Sequence, residues 1–226
     1  SNNILDDAPV VKLKSRASSF LNNCTLDNGS FVLTPNAEAT PFATCFAIFL
    51  SHLIGDLNNL SFRFPQISEE LVTQLYDYKR KREKIIDLQK DKYFLQLLTF
   101  TLSALYLMNS NKTYPLDDII DPLIPQNINK YLNDISSFDG LATTGNLAMC
   151  MAILMIYSVE YLNEGNNDKI NDWVDAHMIQ MNKNGFWGKD EPSHLQFQQG
   201  YHQYEIMGYL GIKNHKINNA CKLIKR

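Results

Sequence analysis

The sequence predicts an all-α protein built from about four helix pairs, and two observations lead to this prediction. Polar and apolar helical segments alternate along the chain, and the midpoints of the apolar segments recur about every 51 residues. A helix that is apolar on all sides is typical of a protein interior, whereas one apolar stripe is typical of an outer layer. Because one helix pair cannot bury its own apolar face, the period indicates stacked repeats. We therefore expect inner and outer helices in a single helical-repeat domain over residues 1–226.

The elements are expected in the order polar, then apolar, along the chain. The polar helices are predicted at about residues 9–22, 68–90, 126–134, 167–182 and 214–225. The apolar helices are predicted at about residues 41–57, 93–109, 143–162 and 196–210. No strand-length run alternates between apolar and polar residues, so a β-sheet is not expected.

Local signals predict several helix ends. Thr40 has the side chain of an N-cap, and Pro41 suits the first position of the apolar helix that follows. Ser68 is predicted to cap the next polar helix, because two glutamates follow it and suit the positive helix start. The basic run at residues 79–82 of that helix is interpreted as a solvated outer face rather than a ligand site.

Loops with a glycine and an aromatic residue precede three of the apolar helices. They read Asp27-Asn28-Gly29-Ser30-Phe31, Phe138-Asp139-Gly140-Leu141 and Asn184-Gly185-Phe186-Trp187-Gly188. Glycine accepts a positive φ at little cost, so these loops are expected to reverse the chain. We expect the aromatic residues to pack over the loops and to join neighbouring repeats.

The stretch Gln180-Met181-Asn182-Lys183-Asn184-Gly185-Phe186-Trp187 resembles the glutamine-to-tryptophan repeat of squalene and hopene cyclases and of protein prenyltransferases. One full copy and two partial ones occur. The resemblance implies a partial or complete α/α toroid, in which such turns tie the outer helices to the inner ones. Because a full toroid usually has more helix pairs, the resemblance also implies an incomplete ring, which is either an open C-shaped module or a ring completed by a partner chain or a further segment.

For function, the resemblance implies a terpenoid cyclase-like or prenyltransferase-like enzyme acting on an apolar, isoprenoid-like substrate in a central cavity. Aromatic side chains on the apolar helices are expected to line that cavity and to stabilise cations by their π faces. They are Phe46, Phe49, Tyr93, Phe94 and Phe100. The sequence departs from these families in lacking the Asp-x-Asp-Asp acid motif of the cyclases and a recognisable Asp, Cys and His zinc set.

The last apolar helix carries the main candidate site. Helical spacing places Gln198, Tyr201, His202 and Glu205 on one side of it. A polar stripe on an internal helix must face a cavity or pair with other polar groups. The predicted catalytic residues are His202 as acid or base, Glu205 as the group that tunes it, and Tyr201 as proton donor or acceptor. A hydrogen-bond network between repeats is the alternative interpretation of this stripe.

Further candidates lie elsewhere along the chain. Substrate binding is predicted for residues near helix starts or in the glycine loop, in addition to Gln198: they are Glu38, Asn146, Trp187 and His194. For Glu38, a helix-start role is the alternative. His194 could also join His202 and Glu205 as a metal ligand, but no other cluster supplies partners, so no metal site is predicted.

No cofactor is predicted either. Asp117, Asp118 and Asp121 match the Asp-Asp-x-x-Asp pattern that binds magnesium diphosphate in terpene enzymes. Pro115 and Pro122 bracket the match and exclude it from a long helix, so a chance match is the favoured interpretation.

Composition sets the remaining expectations. The formal net charge is −3, which offers no case for nucleic acid or an anionic membrane. The four cysteines lack CxxC spacing, and polar residues interrupt each long apolar run, so a cytoplasmic protein without a transmembrane segment is expected. Two alternative functions stay open. One is a carbohydrate-active α/α-barrel lyase or hydrolase that uses Tyr201, His202 and Glu205, and the other is a non-catalytic helical-repeat binding module.

Overall fold

The chain is described here by a computed structural model that covers residues 8–139, 142–161, 167–212 and 216–224. These residues form α-helices and short 3-10 turns, and the part of the chain so described contains no β-strand. Three isolated β-bridges occur in the loops. The predicted all-α class is therefore confirmed.

The predicted alternation of helices is confirmed as well. The apolar helices are α2 (Pro41–Ile54), α4 (Lys92–Leu107), α7 (Ala142–Tyr161) and α9 (His194–Tyr209). The polar helices are α1 (Ala8–Asn23), α3 (Phe64–Arg82), α6 (Ile128–Asp134), α8 (Asn167–Gln180) and α10 (Ile217–Ile224). A short helix, α5 (Asp117–Ile120), precedes α6, and 3-10 turns cover Leu57–Arg63, Leu88–Lys90 and Asp121–Leu123. The closure of these helices into a ring stays a prediction.

One predicted helix start is confirmed and one is wrong. The Thr40 hydroxyl accepts a hydrogen bond from the Ala43 amide at 3.1 Å, and Pro41 opens α2. Helix α3, by contrast, begins at Phe64, so that Ser68 lies inside the helix and is buried. Pro65 in the first turn explains the earlier start, because its fixed φ suits that position and it needs no hydrogen-bond acceptor there.

The first of two structural units contains the described residues up to Ile85 and the segment Leu97–Leu116. Within it, α2 contacts both α1 and α3. The core includes Ile48, Leu75 and Cys45, all without measurable exposure. Burial raises the pKa of Cys45 to about 12, so its thiol stays protonated and serves as packing.

The second unit contains Ile86–Gln96 and the described residues from Asp117 onward. Its central helix is α7, which packs most extensively against α9 and also contacts α8 and α5. The close approach of α7 to α9 depends on Gly145, since a Cβ there would lie 2.6 Å from the backbone oxygen of Gln199. None of the described helices is long and apolar enough to span a bilayer.

Two of the glycine loops have matching geometry. In the first loop, Gly29 has a φ of 84° and a β-bridge joins Thr25 to Phe31. In the last loop, Gly185 has a φ of 86° and a β-bridge joins Met181 to Trp187.

The aromatic residues of these loops are packed inside, as predicted, whereas their joining of neighbouring repeats stays a prediction. The aromatic residue two positions after the glycine is buried in both, with Phe31 2% and Trp187 0% exposed. Since the two loops lie about three predicted periods apart, their matching geometry supports the repeat. In the third loop, Gly140 and Leu141 lie outside the described residues.

Candidate functional site

Helix α9 carries the predicted catalytic residues on its outer face. The helix begins at an N-cap, where the Ser193 hydroxyl accepts a hydrogen bond from the Gln196 amide at 3.1 Å. Along the helix, His194, Gln198 and Tyr201 are exposed, and the Tyr201 side chain has 57% of its surface accessible. The stripe predicted from helical spacing is therefore continuous, and it lies at the protein surface.

His202 and Glu205 form the polar pair at the edge of this stripe. The Nδ1 atom of His202 lies 3.2 Å from Oε2 of Glu205, and both side chains are about one quarter to one third exposed. The Tyr201 and His202 rings meet edge to face, with centroids 5.3 Å apart. Because Glu205 engages Nδ1, Nε2 is the ring nitrogen that can exchange a proton with a bound molecule. The arrangement can supply a general acid or base beside an exposed phenol.

A second row of polar side chains, not predicted from the sequence, lies on the buried side of α9. Gln196, Gln199 and Gln203 are 3%, 0% and 0% exposed. The Gln196 amide donates to the Trp187 carbonyl oxygen at 2.9 Å, and the Gln199 amide donates to the Ser137 carbonyl oxygen. These three glutamines recur at helical spacing, as the residues of the outer stripe do. Only the apolar residues that continue the row, Ile206 and Met207, could have indicated that it faces inward.

These glutamines join a buried hydrogen-bond network around His177 of α8. Nδ1 of His177 donates to the Trp173 carbonyl oxygen at 3.0 Å, which leaves Nε2 as an acceptor 3.5 Å from the Ser137 hydroxyl. That hydroxyl in turn accepts a hydrogen bond from the Gln203 amide at 3.1 Å. Burial lowers the pKa of His177 to about 4, with the hydrogen bond to Trp173 opposing the shift, so the ring is neutral at pH 7.

The pairing of Ser137 with His177 has the residue types of a nucleophile and its base. Both side chains are 0% exposed, however, and three aromatic rings surround the imidazole. They belong to Phe138, Trp173 and Trp187, with Trp173 stacked at 4.0 Å between ring centroids. A substrate cannot reach either side chain, so we do not assign the pair a catalytic role. Its hydrogen bonds hold together α8, α9 and the loop that contains Ser137.

The remaining substrate-binding candidates belong to other segments of the chain than α9. Trp187 is fully buried, and its indole N–H donates to the His177 carbonyl oxygen at 2.8 Å. Asn146 is buried in α7, where the Cys150 thiol lies 4.0 Å from its side-chain oxygen. Glu38 is exposed in the segment before α2 and belongs to the first unit. Within the second unit, the candidates on α9 therefore form an exposed surface, whereas Trp187 and Asn146 are buried.

The aspartate motif lies on a helix of a single turn. Asp117 and Asp118 open α5, and Asp121 begins the 3-10 turn that follows, as the flanking prolines predict. Within the described ranges, no group of three His, Cys, Asp or Glu side chains has the arrangement of a metal site. None of the four cysteines, all of which lie in the described ranges, forms a disulfide, and Cys24, Cys45 and Cys150 are buried.

The aromatic residues predicted to line a cavity are divided between exposed and buried positions. Phe46, Phe49 and Phe100 join Phe42 in a cluster on α2 and α4, with ring centroids 5.4 to 6.1 Å apart and steep interplanar angles. Phe46 is 46% exposed, and the other three rings are partly buried. We call these four residues the phenylalanine surface. Of the remaining two, Tyr93 is exposed and Phe94 is fully buried.

A small apolar depression lies in the second unit, between α7, α8 and the end of α9. It has no room for the centre of a water-sized sphere, and Met155, Trp173 and Leu210 are among the residues that line it. Ligand pockets usually enclose about 300–1,000 Å³. This depression is therefore too small for an isoprenoid substrate.

Comparison with known proteins adds no relative: no family model, no curated protein and no solved structure matches the chain.

Proposed function

We propose that this chain is a terpenoid cyclase-like or prenyltransferase-like protein of the α/α-toroid type, which binds an apolar, isoprenoid-like molecule at the phenylalanine surface. The observation that carries the proposal is the cluster of four phenylalanine rings that two apolar helices leave partly exposed. Exposed apolar area costs about 25 cal/mol per Å², so a ligand that covers such a surface gains free energy in proportion to the area it buries.

The chemistry around the phenylalanine surface favours a hydrocarbon ligand. Helix α2 contains no Asp, Glu, Lys or Arg, and Lys92 is the single such residue in α4. Leu53 continues the same face of α2, one turn after Phe49, and is 75% exposed. An apolar chain can follow this face without leaving a charged group desolvated. Edge-to-face rings also present π density that stabilises a cation.

A binding experiment with matched variants tests this proposal. Farnesol serves as the probe, and its affinity is measured by saturation-transfer NMR and calorimetry. We expect F46S to lower the affinity at least tenfold, because it replaces a ring of the phenylalanine surface with a small polar group. F20S is the matched control, since Phe20 lies on α1 and has 47% of its surface exposed. Absence of farnesol binding, or equal effects of the two variants, would overturn the proposal.

Turnover separates an enzyme from a binding module. Squalene and farnesyl diphosphate are incubated with the protein, and the products are identified by mass spectrometry. Formation of cyclised products that F46S abolishes supports an enzyme. Farnesol binding without turnover of either substrate would instead support the non-catalytic helical-repeat module.

A second candidate function is favoured by the pair on α9. His202, Glu205 and Tyr201 provide an imidazole, a carboxylate within 3.2 Å of it and an exposed phenol, which are the groups that a carbohydrate lyase or hydrolase needs. H202A should then abolish cleavage of a glycan substrate while the far-UV circular dichroism spectrum stays unchanged. Unchanged cleavage in the folded variant would exclude this role for His202.

A further inference from the structure

Helices α7 and α9 contain three glycines. Close packing explains two of them, and it does not explain the third. A Cβ on Gly145 would lie 2.6 Å from the backbone oxygen of Gln199, and a Cβ on Gly200 would lie 2.6 Å from the Phe186 ring. At Gly208 of α9, a Cβ would meet no described atom within 4 Å, and the backbone φ is not positive. Glycine inside a helix is less favourable than alanine. The fold of the described residues therefore does not require Gly208.

Gly208 lies on the same face as the polar stripe. It follows Tyr201 by two helical turns and Glu205 by one, and that spacing places the three residues in line. We call the line His194, Gln198, Tyr201, Glu205 and Gly208 the outer surface of α9; Glu205 is partly buried and the other four are exposed. A glycine here leaves a flat area of backbone two helical turns, about 10.5 Å, from an exposed phenol ring, which allows a ligand to approach closely.

The charges on this helix restrict the class of ligand. Helix α9 contains no Lys or Arg, and Glu205, its single carboxylate, is paired with His202. A phosphate, sulfate or uronate would approach the Glu205 carboxylate and would find no Lys or Arg on α9 to pair with. Anionic ligands are therefore disfavoured. The phenol, amide, imidazole and carboxylate groups provide both donors and acceptors for neutral hydroxyl groups.

We propose that the outer surface of α9 binds a neutral oligosaccharide. One sugar ring stacks its C–H face on Tyr201, and a ring further along the oligosaccharide lies over the backbone at Gly208. Its hydroxyl groups donate to the Glu205 carboxylate and exchange hydrogen bonds with the Gln198 amide. This inference deepens the second candidate function, on which its choice of ligand class rests, but it concerns binding alone and does not depend on turnover.

Binding is tested on the whole chain with a panel of defined probes. The neutral probes are maltohexaose, cellohexaose and N-acetylchitohexaose, and hexagalacturonate is the anionic comparison. We expect calorimetry to detect at least one neutral hexasaccharide, with affinity at least tenfold higher than for hexagalacturonate. Lack of binding to all three neutral probes, or equal affinity for the anionic one, overturns the proposal.

Y201A and G208A then locate the binding surface. Y201A should lower the affinity for the bound hexasaccharide at least tenfold, while the control Y106A, at a tyrosine of the first unit that is 50% exposed, should change it less than twofold. G208A should raise Tm and at the same time lower the affinity at least threefold, because the added methyl group improves the helix but obstructs the ligand. Unchanged affinity in Y201A or G208A would overturn the assignment to this surface.

The test also separates binding from catalysis. If the wild-type chain cleaves a glycan, an H202A variant that still binds the hexasaccharide but no longer cleaves supports the catalytic candidate together with this inference. Hexasaccharide binding by a wild-type chain that cleaves no glycan supports the inference and removes the catalytic candidate alone.

Discussion

Trp187 donates its indole N–H to the backbone carbonyl oxygen of His177 at 2.8 Å, and this bond ties the last glycine loop to the final turn of α8. The acceptor belongs to the residue whose own side chain lies among Phe138, Trp173 and Trp187. One buried indole therefore satisfies a carbonyl group near the end of a helix, where such groups lack an intrahelical donor. Both tryptophans of the chain are buried, which allows a matched comparison.

Replacing the two tryptophans by phenylalanine should have unequal effects. W187F removes the donor to the His177 carbonyl oxygen, whereas the Trp173 Nε1 atom has no hydrogen-bond partner among the described residues. The lost volume is the same in both variants. We expect W187F to lower the free energy of unfolding by about 1–3 kcal/mol more than W173F, as measured by urea denaturation. Equal losses would show that the indole bond contributes no net stability.

The buried imidazole of His177 predicts a stability loss in mild acid. Its pKa is lowered to about 4 by burial, whereas an unfolded histidine titrates near 6.5, so the unfolded chain binds more protons between these values. The contribution to stability is complete above about pH 7 and decreases as the pH falls toward 4. It amounts to about 3 kcal/mol over this range, which urea denaturation at a series of pH values measures.

Two histidine variants identify the group responsible. H177Q should flatten the dependence of unfolding free energy on pH between 4 and 7, and H194Q, at an exposed histidine, is the matched control. If H177Q is too unstable to fold, NMR titration of the His177 imidazole in the wild-type chain provides the value directly. An imidazole that titrates near 6.5 in the folded protein would contradict the prediction.

The crossing of α7 and α9 predicts opposite effects for two glycine-to-alanine changes. G145A would bring a Cβ to 2.6 Å from the Gln199 backbone oxygen, and backbone atoms cannot move aside without separating the helices. We expect it to destabilise the protein by about 1–3 kcal/mol. G208A, in open space, should stabilise it by about 0.5–1 kcal/mol. Thermal unfolding monitored by circular dichroism measures both, and a stable G145A variant would show that α7 and α9 pack differently.

The glycine turns predict a graded series of losses. G211A adds a side chain at a φ of 66° in open space, so it measures the backbone cost alone, about 1–2 kcal/mol. G29A adds contact with the flexible Arg63 side chain, and G185A places a Cβ 2.8 Å from the Lys216 backbone oxygen. The free energy of unfolding should therefore be highest for G211A, lower for G29A and lowest for G185A. A loss for G185A no greater than that for G211A would contradict the close contact with Lys216.

Much of the secondary structure could be predicted because its causes are local. The apolar run after Pro41 and the cap at Thr40 depend on neighbouring residues, and the structure confirms both. The glycine turns at Gly29 and Gly185 were predictable because a positive φ strongly favours glycine. The start of α3 was misplaced, since Ser68 and the glutamates after it resemble a cap although Pro65 begins the helix earlier.

The candidate site was harder to predict, because burial depends on residues distant in sequence. Helical spacing grouped Gln198, Tyr201 and Glu205 correctly on one face, but it could not decide which face of α9 meets solvent. The buried row of glutamines includes Gln203. Its hydrogen-bond partner, Ser137, lies in a loop 66 residues earlier in the chain. No local pattern contains that pairing.

The sequence by itself determined the all-α class, the alternation of apolar and polar helices and the positions of the glycine turns, because backbone preference and hydrophobic periodicity act over a few residues. The tertiary structure alone decided that Trp187 and His177 belong to a buried network, while His202 and Glu205 pair at the surface. The physical reason is that burial and hydrogen-bond partners are properties of packed neighbours. Those neighbours are brought together only when the helices and loops of the unit have assembled.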